Sequence, residues 1–319
     1  HAAGATASCR RTGSCWGGCS MTAQPASPDA EFNGGPVDAP LVVLVHGLGS
    51  SWAAFEPILP LLTEHVRVLA LDFPGFGARA PETGLAPGVA GYADWLERDL
   101  ARRGVVAAHL VGSSMGGAVA LELARRGIAA SATAFAPAGF WRTPGRIWCQ
   151  CLLTVLRSLA NRIGGPASAA MTSSFGRALL LFPLHARPTR VTPAAAQHGI
   201  RALAGAASFT AARDSFTTLR PAVVPARVPI SIVWGTRDLV LPAWSQARRA
   251  RALMPAARHV HIRHAGHLPF WDDPEACADE ILSQVRRETD RSRPSASTQT
   301  HPNDQPSQPS QPQQTGAAA

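Results

Sequence analysis

Lysine is absent from this sequence: all 30 basic residues are arginine, set against 21 acids for a net charge of +9. With Ala, Gly and Pro abundant, this reads as GC-rich coding, so part of the basic balance says nothing about partners. Long apolar runs are missing too. The longest, such as Ala178 to Leu184, fall far short of the ~20 residues a membrane-spanning helix needs, which argues against an integral membrane protein. Cysteine is sparse, six in 319 residues, and a chain of this length buries a full core without disulfides or metal. Three of the six fall in the first 20 residues. Cys149, Cys151 and Cys277 show no evident pairing and no export signal is visible, so a reduced, cytoplasmic protein is the expectation.

The charge that is present is concentrated. Residues 142–227 hold eleven arginines and one acid, Asp214, a local charge of +10 that leaves the rest of the chain at −1. No recognition motif accompanies these arginines, so no nucleic-acid partner is expected. The ends differ from the middle. Residues 1–30 read as a disordered or non-native leader, with Met21 a candidate start. Cys9, Cys15 and Cys19, in a Gly/Ser/Ala tract with no nearby His, make a poor metal site. From 289 to 319 Ser, Gln and Pro dominate and large apolar residues nearly vanish. Such a stretch cannot repay its ordering entropy and is expected to be a disordered tail.

Between the ends, short β-branched runs alternate with segments of helical spacing. Leu41–Val45, Val66–Leu71, Val105–Val111, Ile128–Phe135, Val228–Trp234 and Arg258–Ile262 read as strands. Trp52–Leu62, Val89–Arg103, Met115–Arg126, Ala243–Leu253 and Pro274–Arg286 read as helices. This alternation implies right-handed crossovers and a mainly parallel sheet covered on both faces, an α/β fold whose reactive groups sit just after the strands.

Gly112-Ser113-Ser114-Met115-Gly116 follows one of those strands and fits G-x-S-x-G with Ser114 central. The glycines permit the tight strand-to-helix turn that lifts a hydroxyl clear of the sheet, making Ser114 the candidate nucleophile. Developing negative charge needs donors, and the backbone N–H groups of Met115, at a helix start, and Leu48, in His46-Gly47-Leu48-Gly49, are the candidates for an oxyanion hole. Of eleven histidines only His259, His261, His264 and His267 lie at or after the last strand. Their spacing straddles strand and loop, so no metal is expected. His267 is the candidate base and His264 the reserve. No Asp or Glu occurs between Glu122 and Asp214, so no carboxylate can follow the Ile128–Phe135 strand directly. Asp238, after Trp234, is the candidate that holds the imidazole. Asp272 and Asp273 read as caps of the Pro274 helix.

The motifs HGLG at 46–49, DFPGFG at 72–77, GSSMGG at 112–117, WGTRD at 234–238 and AGHLPFWDDPE at 265–275, in that order, resemble the α/β-hydrolase superfamily over about residues 41–286. The resemblance implies an α/β-hydrolase core at 31–138 and 226–288, with a helical cap, or lid, at 139–225. It also implies a cofactor-free serine hydrolase of the Ser114, Asp238, His267 kind. Members with an aspartate nucleophile, such as haloalkane dehalogenases and epoxide hydrolases, are disfavoured by the serine at 114. A carboxylic ester with a small to medium, partly apolar body is the expected small-molecule substrate. Carbon–carbon bond hydrolysis, acyl transfer on the same residues, and a catalytically silent ligand-binding protein are the alternatives. The family usually opens with a β-hairpin, whereas Glu31–Pro40 is short and carries Gly34-Gly35-Pro36, so the first strands are expected to be frayed or missing. The basic lid has two readings: a cover packed over the site, which is the expectation, or an amphipathic surface in weak contact with a membrane.

Overall fold

The computed structural model describes residues 28–225 and 227–292. The leader cysteines and the sequence beyond Ser292 lie outside the described residues. Seven strands form one sheet among them: β1 Glu31–Gly34, β2 Leu41–Val45, β3 Arg67–Leu71, β4 Ala108–Ser113, β5 Ala129–Phe135, β6 Ile230–Gly235 and β7 Arg258–Ile262. Their order is β1-β3-β2-β4-β5-β6-β7. Only β1 runs antiparallel to its neighbour.

The sheet is buried on both faces, and period-two alternation shows it. Val43 and Val45 of β2 join one apolar cluster with Trp95 and Trp234, while Val42 and Leu44 join another with Phe55, Phe135 and Phe270. The helices α1 Leu59–Thr63, α2 Val89–Arg102, α3 Met115–Arg126, α8 Ala243–Leu253 and α9 Pro274–Ser292 accompany the strands. Each fully buried large side chain contributes roughly 1.5–3 kcal/mol, so these two layers dominate the stability of the core. Between β5 and β6 the chain leaves the sheet for α4 Thr143–Ala170, α5 Ser174–Leu181, α6 Pro193–Gly205 and α7 Phe209–Ser215.

Four boundaries differ from the sequence reading. Trp52–Ile58 is a 3-10 helix and only α1 is α-helical, with Pro57 inside the first and Pro60 opening the second. The fourth strand begins at Ala108, since Val106 is 94% exposed and belongs to the turn before it. The first strand is present: β1 lies at the sheet edge, where the Glu31 carboxylate takes a bidentate bond from Arg103 at 2.6 and 3.1 Å. That guanidinium holds the Glu31 carboxyl below its ordinary range. At the other end α9 continues to Ser292, four residues into the stretch expected to be a tail.

The strand order fixes the site. β2 lies between β3 and β4, so the chain leaves β2 toward one edge and returns on its other side. The loops after β2 and β4 therefore diverge and leave a crevice at the carboxyl ends of the strands.

Candidate active site

Ser114 stands between β4 and α3 with φ 55° and ψ −113°, a conformation that a side-chain-bearing residue adopts only under strain. Its surroundings over-determine it. Its N–H donates to the Phe135 carbonyl at 2.8 Å, and its own carbonyl accepts from Ala118 and Ala138. A Cβ on Gly116 would sit 2.2 Å from the Val45 carbonyl oxygen, and one on Gly112 would sit 2.1 Å from the Gly116 carbonyl oxygen. Only glycine lets α3 start this close to β2 and β4.

The loop after β2 is pinned by His46, which is wholly buried. Its Nδ1–H donates to the Gly47 carbonyl at 2.7 Å and its Nε2 accepts from the Phe73 N–H at 3.0 Å. Burial pushes its pKa down, so the ring is neutral and serves as a strut. Gly47 lies against Ser114, within 3.1 Å of Ser114 Cβ for a Cβ placed there. Among the described residues, neither the Leu48 nor the Met115 amide has a hydrogen-bond acceptor. Both are free to point at a ligand, as amides at and near a helix start are.

Asp238 follows β6. Its Oδ1 accepts the N–H groups of Val240 and Leu241 at 2.9 and 2.8 Å, leaving Oδ2 to face His267 Nδ1 at 2.9 Å. That arrangement sets the His267 tautomer: Nδ1–H donates to the carboxylate and Nε2 is left as a base. Asp238 and His267 are 4% and 3% exposed, so water competes little for the bond. Ser114, His267 and Leu48 line one cavity of about 150 Å³ with residues from α4 to α6. The structure thus brings Ser114, Asp238, His267, Leu48 and Met115 together. His264, the reserve base, is exposed with φ 59°; its backbone N–H donates to Thr236 Oγ1 at 2.9 Å, and the residue is not among those lining the cavity. His259 donates to the Met254 carbonyl. Among the described residues no cluster of three His, Cys, Asp or Glu could hold a metal ion.

The sequence reading of Asp272 needs correction. Asp273 does cap α9, accepting from Ala276 at 3.2 Å. Asp272 instead turns back, accepting the Gly266 N–H at 2.7 Å, the Ala186 N–H at 3.0 Å and the Arg187 N–H at 2.7 Å. One buried carboxylate thereby ties the segment after α5 to the loop that carries His267. His185 is the second residue the sequence reading passed over. It belongs to that same segment, is 7% exposed and lines the cavity.

A parallel sheet with a strained serine after β4, a carboxylate after β6 and a histidine after β7 defines a hydrolase of the α/β class. The chain belongs to the alpha/beta hydrolase family, whose model matches residues 42–280. It is 30% identical over 211 residues to the epoxide hydrolase EphH of Mycobacterium tuberculosis, covering 60% of this chain and 92% of that protein. It is 28% identical over 303 residues to the dihydrolipoyllysine-residue acetyltransferase component of the acetoin cleaving system of Pseudomonas putida, covering 85% and 72%. Its fold is similar to that of a thermophilic esterase from Thermogutta terrifontis: TM-score 0.62, 23% identity, covering 81% of this chain and 93% of that one.

Proposed function

We propose that this hydrolase cleaves carboxylic esters of small to medium, partly apolar substrates through an acyl-enzyme on Ser114. The observation that carries the reading is the 2.9 Å bond from His267 Nδ1 to a saturated Asp238 carboxylate, beside a cavity that also holds Ser114. In this mechanism His267 Nε2 takes the Ser114 proton as Oγ attacks the carbonyl carbon. The oxyanion is met by the Leu48 and Met115 amides, and the imidazolium returns the proton to the departing alcohol. Water, activated by the same imidazole, then releases the acid. No cofactor is required.

The relatives' names span different chemistries, so the reading rests on the site. A serine at 114 lacks the carboxylate with which an epoxide-opening relative would form an ester. The described cavity wall is mostly Leu, Ala, Ile and Val and contains no arginine, so a substrate carrying its own carboxylate, as in carbon–carbon cleavage of acidic ring-cleavage products, finds no counter-charge there. A volume of about 150 Å³ takes an apolar group the size of a benzene ring. Cys149, Cys151 and Cys277 are free thiols, which supports a reducing, cytoplasmic setting. Among the described residues no helix is long and apolar enough to cross a membrane. A fluorophosphonate probe tests the proposal: it should label the protein and leave Ser114→Ala unlabelled. Equal labelling of both, or no labelling of the wild type, overturns it.

A further inference from the structure

The sheet edge at β7 carries a second basic stretch, hidden in the chain-wide balance by acids elsewhere. No acid occurs between Asp238 and Asp272, while Arg248, Arg249, Arg251, Arg258 and Arg263 all fall there. Elsewhere in the core, arginines are matched with carboxylates: Arg103 with Glu31 and Asp99, Arg126 with Glu122, Asp94 and Glu97. Among the described residues Arg258 is the only one of the five with such a partner, Glu280.

Two of the unmatched arginines face a recess. Trp244, Ala247, Arg248 and Arg251 lie at i, i+3, i+4 and i+7, one face of α8. With Thr236 after β6 and His261 of β7 they line a space of about 270 Å³ that shares no residue with the cavity at Ser114. Its polar groups have capacity to spare. Arg248 and Arg251 are exposed, and among the described residues neither makes a hydrogen bond or ion pair. Thr236 Oγ1 accepts the His264 N–H at 2.9 Å and keeps its own proton to donate. Partial burial and then the cations Arg251 and His259 hold the His261 imidazole below its ordinary pKa, as a site of positive potential does. The Trp244 ring is 77% exposed, which leaves a flat face free for stacking.

Two guanidiniums and a hydroxyl with no facing carboxylate select an anion. Phosphate suits them best, because its oxygens can engage both arginine forks and the hydroxyl at once. The neighbouring indole adds a platform for a planar ring. We propose that this recess binds a nucleoside monophosphate, its phosphate held by Arg248, Arg251 and Thr236 and its base stacked on Trp244. The site is separate from Ser114 and does not rest on the hydrolytic reading. Its wall is nonetheless shared with the loops of Asp238 and His267, since the bond from His264 to Thr236 joins one loop to the other.

Isothermal titration of the full chain at low salt tests the proposal with AMP, GMP, CMP and UMP, each against its own nucleoside and against inorganic phosphate. At least one nucleotide should bind with Kd below about 1 mM, and at least about tenfold more tightly than its nucleoside or phosphate. Trp244→Ala should weaken that nucleotide by roughly five- to a hundredfold. Arg248→Gln and Arg251→Gln should each weaken it by roughly tenfold or more. Arg263→Gln removes an exposed charge from the same stretch but outside the recess, and should bind as the wild type does. All four side chains are exposed, so thermal melts should match the wild type. Silence from all four nucleotides, phosphate binding as tightly as a nucleotide, or Trp244→Ala binding unchanged overturns the proposal. So does an equal loss in Arg263→Gln and Arg251→Gln, which is what diffuse attraction to a basic face gives. Binding confined to oligonucleotides, with the mononucleotides silent, also overturns it and makes the face a nucleic-acid surface.

Discussion

Replacing Asp272 by Asn should destabilise the protein and impair catalysis together, because one carboxylate holds two loops that meet over the site. Its oxygens accept three backbone N–H groups, from Gly266, Ala186 and Arg187 at 2.7, 3.0 and 2.7 Å, and the residue is 1% exposed. Hydrogen bonds to a charged group contribute about 1.5–3 kcal/mol each, and a buried donor left without an acceptor costs about 1–3 kcal/mol. Asparagine keeps one oxygen, so its NH₂ must face at least one of those amides. The loss is then one or two charge-assisted bonds, partly offset by the lower cost of burying a neutral side chain, for a net of about 2–4 kcal/mol. That is a large share of the 5–15 kcal/mol typical of a domain, and at about 2–4 °C per kcal/mol it lowers Tm by roughly 5–15 °C. Urea unfolding at pH 7.5 reads the first effect and kcat/KM on an ethyl ester the second. A loss under about 0.5 kcal/mol would refute the view that this carboxylate fastens the two loops. Full stability lost with kcat/KM unchanged would refute the link to His267.

Other perturbations have clear signs. Asp238→Asn should lower kcat by about four orders of magnitude with little change in fold: the amide oxygen can keep the Val240 and Leu241 N–H groups, so the NH₂ donates to His267 Nδ1 and forces the wrong tautomer; steady-state kinetics with circular dichroism check it. Gly116→Ala should cost more than about 3 kcal/mol, because its Cβ would lie 2.2 and 2.5 Å from two carbonyl oxygens; an ordinary urea midpoint would count against the close approach. Burial holds the His185 imidazole below its ordinary pKa in the folded protein. The unfolded chain therefore binds more protons as the pH falls below the ordinary histidine range, so the stability this group gives is full above that range and is lost on acidification. His46, also pushed down by burial, adds a fall of the same sign. Urea midpoints at pH 5 and 7.5 should therefore differ less in His185→Gln than in the wild type.

The core was legible because its signals are local. Leu41–Val45 and Val42's alternation with Val43 encode a strand covered on both faces, and Gly112, Ser114 and Gly116 encode the turn after β4 within five residues. Asp238 followed from elimination, since the acid-free stretch removed its competitor. Asp272 was misread for the opposite reason. Next to a proline-led helix an aspartate looks like a cap, and nothing nearby reveals that its true partners are amides some 85 residues earlier. His185 was set aside by the same rule that found His267, because it follows no strand; its place in the cavity comes from the lid folding back, a contact no periodicity encodes. Glu31–Gly34 has a single large apolar residue, and its partners are remote in sequence: the ladder to Val68–Leu71 and the Glu31 carboxylate's bond from Arg103, 72 positions away.

The basic lid changes meaning in the same way. Counted along the chain, its eleven arginines invite an anionic partner. In the structure six of them are committed inward: Arg146 to Gln150 and Thr217, Arg157 to the Ala206 carbonyl, Arg177 to Met171 and Thr172, Arg187 and Arg190 to the Asp272 carbonyl, and Arg213 to Thr154 and Asp214. A guanidinium offers five donors in a fixed fork and no acceptor, so it suits helix ends and turns whose carbonyls have lost their helical partners. With one acid in the whole segment, carbonyl oxygens take the place of carboxylates as the groups these cations hold. Much of the positive charge therefore braces the lid and fastens it to the loop of His267. The same linkage that keeps His185 in the cavity runs through two of these arginines.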